Sequence, residues 1–163
     1  MQKFRVFYYY ECPFCKLAHE ALMEILPGYP GMEVEWRPVE SGLCIQAFYI
    51  AEEQGTDMDV FHRVMYQGLA VDRRNSEKSE VLAEILKGIV DSGRFLTALR
   101  SGKYAHKVDE NNDLAYKENG VWYVPAFRVP GESLKGLPKL DARCCIGVSR
   151  KQIKKFLDKL AIH

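Results

Sequence analysis

A proline three residues after a run of tyrosines sets the first constraint on this chain. In KFRVFYYYECPFCK, Pro13 has no amide proton and cannot extend a strand ladder, yet its fixed φ suits the first position of a helix. The preceding KFRVFYYY is aromatic and β-branched, and apolar on both alternations, which predicts a central strand covered on both faces. After Pro13, the residues Phe14, Leu17, Ala18, Ala21, Leu22 and Ile25 recur at helical spacing until Pro27-Gly28 stops the run. MEVEWRPV then alternates Met32, Val34 and Trp36 against Glu33, Glu35 and Arg37, the period of a strand. Strand, helix and strand in this order make a βαβ unit, with the helix N-terminus at the carboxyl end of the first strand. Two cysteines, Cys12 and Cys15, fall at that N-terminus.

From Leu43 to about Asn119 the pattern is helical almost throughout. AFYIAEEQG, DVFHRVMYQGLA, SEVLAEILKGIV, RFLTALRSG and DENNDLAYKENG read as separate helices, punctuated by Gly55, Gly68, Ser92-Gly93, Gly102 and Gly120. No fixed period links them, so they are not a repeat array. VWYVPAFRV restores strand character, and Pro130-Gly131 turns the chain into a second short strand expected around Ser133 to Lys135. Ser149 and Gln152 fit a capping box for a last helix whose inward stripe is Ile153, Phe156, Leu157 and Leu160. The expected architecture is a single α/β domain over 1–163, with core segments 1–42 and 120–163 and a helical insertion at about 43–119.

The formal net charge is +1, which supplies no global field for nucleic acid or an anionic membrane. The lysines of KQIKKFLDK read as the wet face of a helix. No apolar run approaches the roughly 20 residues that span a bilayer. Met1-Gln2-Lys3 leads straight into the first strand with no signal peptide, so the expected location is cytoplasmic; the mature form of an exported protein would read the same. Five cysteines are too few for a disulfide-dense scaffold. In a reducing compartment a Cys-x-x-Cys is more often catalytic or metal-binding than a permanent staple.

A thiol attacks as its thiolate, and free backbone N–H groups at a helix N-terminus favour that anion. Cys12, at the N-cap position, therefore suits a nucleophile. Cys15, about one turn further in, can close a small disulfide ring and release a mixed-disulfide partner. Lys16 and His19 add positive potential that exposure dilutes, and His19 reads as a non-catalytic residue on a helix with a wet face. A zinc site needs two more ligands, but Cys144-Cys145 are adjacent and no second Cys-x-x-Cys or Cys-x-x-His exists. No metal is expected. A purely structural disulfide at this spacing closes almost no loop and constrains little.

Val124-Pro125, inside VWYVPAFRV, is the second anomaly, because a mid-strand proline cannot donate to the ladder. It is either an edge-strand proline in the usual trans form or a cis bond at the sheet's end that offers Val124 backbone groups to an extended peptide. Frequency alone favours trans. Cys44, Cys144 and Cys145 read as buried or incidental thiols, with a second redox relay as the sharper alternative. In a strand, Cys144 and Cys145 would point to opposite faces.

Cys12-Pro13-Phe14-Cys15 after a first strand, a helical insertion, and then Val124-Pro125-Ala126-Phe127 before a hairpin and final helix resemble the DsbA-like family over nearly the whole chain. AFYIAEEQG followed by VFHRVMYQ is similar to the subgroup of FrnE-like proteins and 2-hydroxychromene-2-carboxylate isomerases. The resemblance implies a thioredoxin fold with an inserted helical subdomain and a thiol–disulfide oxidoreductase. Its dithiol would exchange with protein or peptide thiols and disulfides. The resemblance also implies Cys12 as nucleophile, Cys15 as resolving thiol, and Pro125 as a cis-proline beside them, supported by Pro13, Phe14 and Val124. No bound cofactor is expected; glutathione or another thiol is the candidate co-substrate. Tyr10 and Trp122 are groove candidates for substrate.

The chain departs from the DsbA pattern at two positions. Phe14 stands where those proteins usually carry histidine, which argues against strong oxidising power. Val6 stands where they carry an acidic residue, leaving Glu11 or water to accept the resolving thiol's proton. The exported oxidases also carry a signal that is absent here. The isomerase branch uses glutathione and a serine near the place of Cys12, so a second cysteine favours redox chemistry over isomerisation. A non-catalytic peptide-binding or chaperone-like domain is the remaining alternative.

Overall fold

The strand signal of KFRVFYYY ends earlier than its composition suggests. In the computed structural model, which describes residues 2–131 and 135–163, strand β1 covers Gln2–Tyr8, and Tyr9 and Tyr10 leave it to form a turn. Helix α1 (Pro13–Ile25) starts at Pro13 and runs into a short 3-10 turn at Leu26–Gly28. Strand β2 (Met32–Pro38) follows, then helices α2 (Gly42–Glu53), α3 (Met58–Tyr66), α4 (Ser79–Ile85), α5 (Ser92–Ser101) and α6 (His106–Asp113). Single π turns at Gln67–Val71 and Leu114–Glu118 extend α3 and α6. Strands β3 (Ala126–Arg128) and β4 (Lys139–Asp141) and helix α7 (Arg150–Ala161) complete the chain.

By its internal contacts the chain divides into two units. The first comprises Met1–Tyr8, Phe14–Arg37 and Leu114–His163; the second comprises Tyr9–Pro13 and Pro38–Asp113. The insertion thus starts and ends a few residues before the expected 43 and 119. It also includes the turn that carries Cys12.

In the first unit the strands are ordered β2-β1-β3-β4. β1 and β3 run antiparallel with Val6 opposite Phe127, and β3 and β4 run antiparallel with Phe127 opposite Leu140. Phe127 is fully buried. Its ring stacks on Phe4 at 6.1 Å and meets Phe156 edge-on at 5.5 Å, which ties β1, β3 and α7 together. Next to it the buried Arg128 guanidinium donates to the carbonyls of Asn119 (2.9 Å) and Phe127 (3.0 Å) and to the Asp141 carboxylate (2.6 Å). A buried charge is tolerable only when paired and hydrogen-bonded in this way. Between β1 and β2, Glu35 bonds both Arg5 and Arg37. Partial burial opposes its ionisation, but the two guanidinium bonds outweigh this and hold its carboxyl below the usual range. Ser149 and Gln152 form the expected capping box, and Ile153, Phe156, Leu157 and Leu160 are the buried stripe of α7.

Several expectations need correction here. Only Ala126–Arg128 of VWYVPAFRV is strand. Of the second strand expected around Ser133 to Lys135, Ser133 and Leu134 lie outside the described residues, and Lys135 sits in a turn; the strand paired with β3 is Lys139–Asp141. His19 is buried rather than on a wet face, its ring 5.2 Å from that of Trp36, because α1 turns it toward β2.

The second unit is helical. α2 buries Cys44, Ile45, Ala47, Phe48, Ile50 and Ala51, and packs against α3, α5 and α6. Such a nearly all-round apolar helix is the centre of its layer. Asp57 and Asp91 cap α3 and α5 by accepting first-turn N–H groups, as their side-chain carboxylates are suited to do. Among the described residues no helix is long and apolar enough to cross a membrane.

Candidate active site

Helix α1 places the motif. Tyr9 to Cys12 form a turn in which the Cys12 N–H donates to the Tyr9 carbonyl at 3.3 Å, and Pro13 then opens the helix. Cys12 therefore immediately precedes α1, and Cys15 is its third residue. Both are buried, but unequally: Cys12 keeps 6% of its surface and Cys15 only 1%. Phe14 is half-buried and Pro13 exposed.

The second unit holds the residue before Cys12. The Glu11 carboxylate accepts from the hydroxyls of Ser41 and, at 2.8 Å, Ser76. Neither serine was legible as a partner, since they lie 30 and 65 residues along the chain. Together with Glu40, Gln46 and Glu77 these residues line an open cavity of about 530 Å³, which gives water access to the Glu11 carboxylate.

Cys44 belongs to the same unit and is no nucleophile. Burial first, and the Glu11 charge second, push its thiol far above the usual range, against a smaller opposing bond from Ser41. Its proton has a consequence for stability. A thiol whose folded pKa is raised stabilises fully below its unfolded pKa, near 9.0, and loses that contribution as pH rises toward the folded value. Unfolding free energy should therefore fall by up to about 1.4 kcal/mol per pH unit above pH ~9 through Cys44 alone. Urea unfolding at pH 8 and pH 10 is expected to show a smaller loss in Cys44→Ala than in the parent; equal losses would refute the assignment.

Tyr10 is not a groove residue. Its ring is fully buried in the second unit, 5.0 Å from Tyr66 and 5.7 Å from Phe61, with its hydroxyl 2.9 Å from His62 Nδ1. Leaving β1 turns it inward, which strand alternation alone did not signal.

In the first unit the Val124–Pro125 peptide bond is cis, and the Pro125 carbonyl accepts from the Ala142 N–H at 3.1 Å. Pro125 is buried and Val124 half-buried, while Trp122 is 84% exposed and Tyr123 47%. Leu17, two residues past Cys15, is also exposed.

No protein-family model matches the chain, and neither does any curated protein. Solved structures do. The chain is similar to a probable DsbA oxidoreductase from Streptomyces coelicolor at 15% identity, covering 99% of this chain and 89% of that one, with a TM-score of 0.77. A thioredoxin-like oxidoreductase from Silicibacter pomeroyi matches at 16% identity over 99% and 87% of the two chains, with a TM-score of 0.73. DsbA from Chlamydia trachomatis matches at 14% identity over 98% and 86%, with a TM-score of 0.70. The fold is thus α/β, a thioredoxin fold of the DsbA kind with an inserted helical domain.

Proposed function

We propose that, on this DsbA-like fold, the chain exchanges disulfides with protein or peptide thiols through Cys12 and Cys15. The observation that carries the reading is their unequal placement at one helix start, Cys12 ahead of it and reachable, Cys15 inside it and covered. In the reducing direction the Cys12 thiolate attacks a substrate disulfide and forms a mixed disulfide, and one substrate sulfur leaves as a thiolate and takes a proton. The Cys15 sulfur, its proton passed to water, then attacks Cys12 Sγ. The second substrate thiolate leaves, and a Cys12–Cys15 disulfide remains. Two electrons have passed to the substrate; two molecules of a small thiol such as glutathione return them to the enzyme and leave as their disulfide. Run backwards, the same steps oxidise a dithiol.

The helix N-terminus favours the anion of Cys12 as nucleophile and as leaving group. Exposed Trp122 and Tyr123, directly before the cis bond, suit an extended, partly apolar segment of an unfolded partner. With Phe14 between the cysteines, the reading is an exchanger rather than a strong oxidant.

Reduction of insulin by dithiothreitol tests the proposal. The parent protein is expected to accelerate it, and Cys12→Ser to lose roughly 100-fold or more of that rate. An unchanged rate in Cys12→Ser would overturn the reading, and a glutathione-dependent isomerisation that survives loss of both cysteines would select the isomerase branch.

A further inference from the structure

Between β4 and α7 a tight turn carries two cysteines side by side. Arg143 and Gly147 pair across it, and the Ile146 N–H donates to the Arg143 carbonyl at 3.1 Å. Of the three cysteines expected to be buried or incidental, Cys44 is buried, whereas Cys144 and Cys145 are both exposed. Nor do they point apart, as adjacent residues do in extended backbone. Cys145 has φ +61°, a left-handed conformation uncommon for a side chain of this kind, and the two sulfurs lie 3.4 Å apart. The hydrogen bond to Cys145, then its charge, keep the Cys144 proton on beyond the ordinary thiol range. The base of the turn rests on the redox motif: a Cβ at Gly147 would stand 3.0 Å from Phe14 Cδ1 and 3.1 Å from its Cβ, and Gly147 itself has φ +74°. A side chain there would be crowded and strained, and glycine seats the turn against the residue between Cys12 and Cys15 in sequence.

We propose that Cys144 and Cys145 form a second dithiol, a chelating site for a trivalent arsenical or a similar thiophilic electrophile that brings its own third substituent. Accessibility and sulfur proximity are what chelation requires, and both are present. The 3.4 Å separation is close to the span of a single bridging atom. It exceeds a disulfide bond, about 2.05 Å. With metal–sulfur bonds of ~2.3 Å, a tetrahedral centre needs roughly 3.8 Å and a linear one roughly 4.6 Å, whereas a pyramidal centre with near-right angles spans roughly 3.3 Å. Soft thiolates select soft acceptors. Among the described residues no cluster of three His, Cys, Asp or Glu is placed to hold a metal ion, so the pair has no third protein ligand to offer. A ligand that carries its own substituent needs none. With an arsonous acid, two arsenic–oxygen bonds break and two arsenic–sulfur bonds form. The two thiol protons leave with the hydroxyls as two waters, and no oxidation state changes.

Phenylarsonous acid, the hydrated form of phenylarsine oxide, is the probe. The full chain with Cys12→Ser and Cys15→Ser removes the competing motif thiols. Equimolar probe is expected to add one phenylarsenic group per chain by intact mass, resistant to excess 2-mercaptoethanol and stripped by a dithiol. Adding Cys144→Ser or Cys145→Ser should each lower retention about 100-fold, the loss of the second, intramolecular attachment. Near-UV circular dichroism matching the parent shows that the turn substitutions leave the fold intact. Failure to retain an adduct before those substitutions, or equal retention after either of them, would overturn the site.

Discussion

Under the proposed exchange, Cys15→Ser is expected to trap the mixed disulfide. Cys12 should still attack a substrate disulfide, because its position ahead of α1 does not depend on the Cys15 sulfur. The internal attack that would release the partner is removed. Incubated with a disulfide-bearing protein, Cys15→Ser is expected to hold most of its chains in mixed disulfides, visible as reductant-sensitive bands on a gel. Turnover in insulin reduction should fall at least about 100-fold. The double variant Cys12→Ser, Cys15→Ser should trap nothing, which assigns the bond to Cys12. If Cys15→Ser carries no adducts, or if the double variant carries as many, the roles of the two thiols are wrong. The same variant separates the exchange reading from a non-catalytic peptide-binding domain, which would form no covalent bond and leave no adduct band on a denaturing gel even without reductant.

Phe127→Ala is expected to cost the largest stability of any single truncation in the first unit. The ring is completely buried, lies on β3 opposite Val6 and Leu140, and touches the rings of Phe4 and Phe156. Removing it deletes apolar burial and leaves a void bounded by two strands and α7, elements that hydrogen bonding holds in place. Truncations of this kind cost about 3–5 kcal/mol. A loss of that size is a large share of the 5–15 kcal/mol typical of a domain, so urea unfolding should show a midpoint far below the parent's. A loss under about 1 kcal/mol would mean that the three-ring cluster is not the core of the sheet. Arg128, next in the strand, sharpens the comparison, since its three hydrogen bonds require the same local register.

The parts legible in the sequence were those written in neighbouring residues. Pro13 announced a helix start because a missing N–H and a fixed φ are properties of one residue. Ser149 and Gln152 announced the last helix because a capping box closes within four residues. The pattern of α2 to α6 was visible as helical periodicity, and glycine punctuation separated its pieces. Boundaries were less secure where composition and environment disagree. Tyr9 and Tyr10 have strand-like side chains but lie in a turn, and Val121 to Val124 read as strand until the proline interrupts pairing.

Local preferences of backbone and side chain were enough for the βαβ start, the helical insertion, the capped final helix and the position of Cys12 and Cys15 at a helix N-terminus. Long-range packing places Glu11 with Ser41 and Ser76, puts Tyr10 and His19 in the core, and sets Gly147 against Phe14. These depend on contacts between residues far apart in the chain, which no spacing rule encodes. The pairing of Cys144 with Cys145 was hidden for a different reason. The residues are adjacent, but a positive φ at Cys145, set by the closure of the turn, puts both sulfurs on one side and in water.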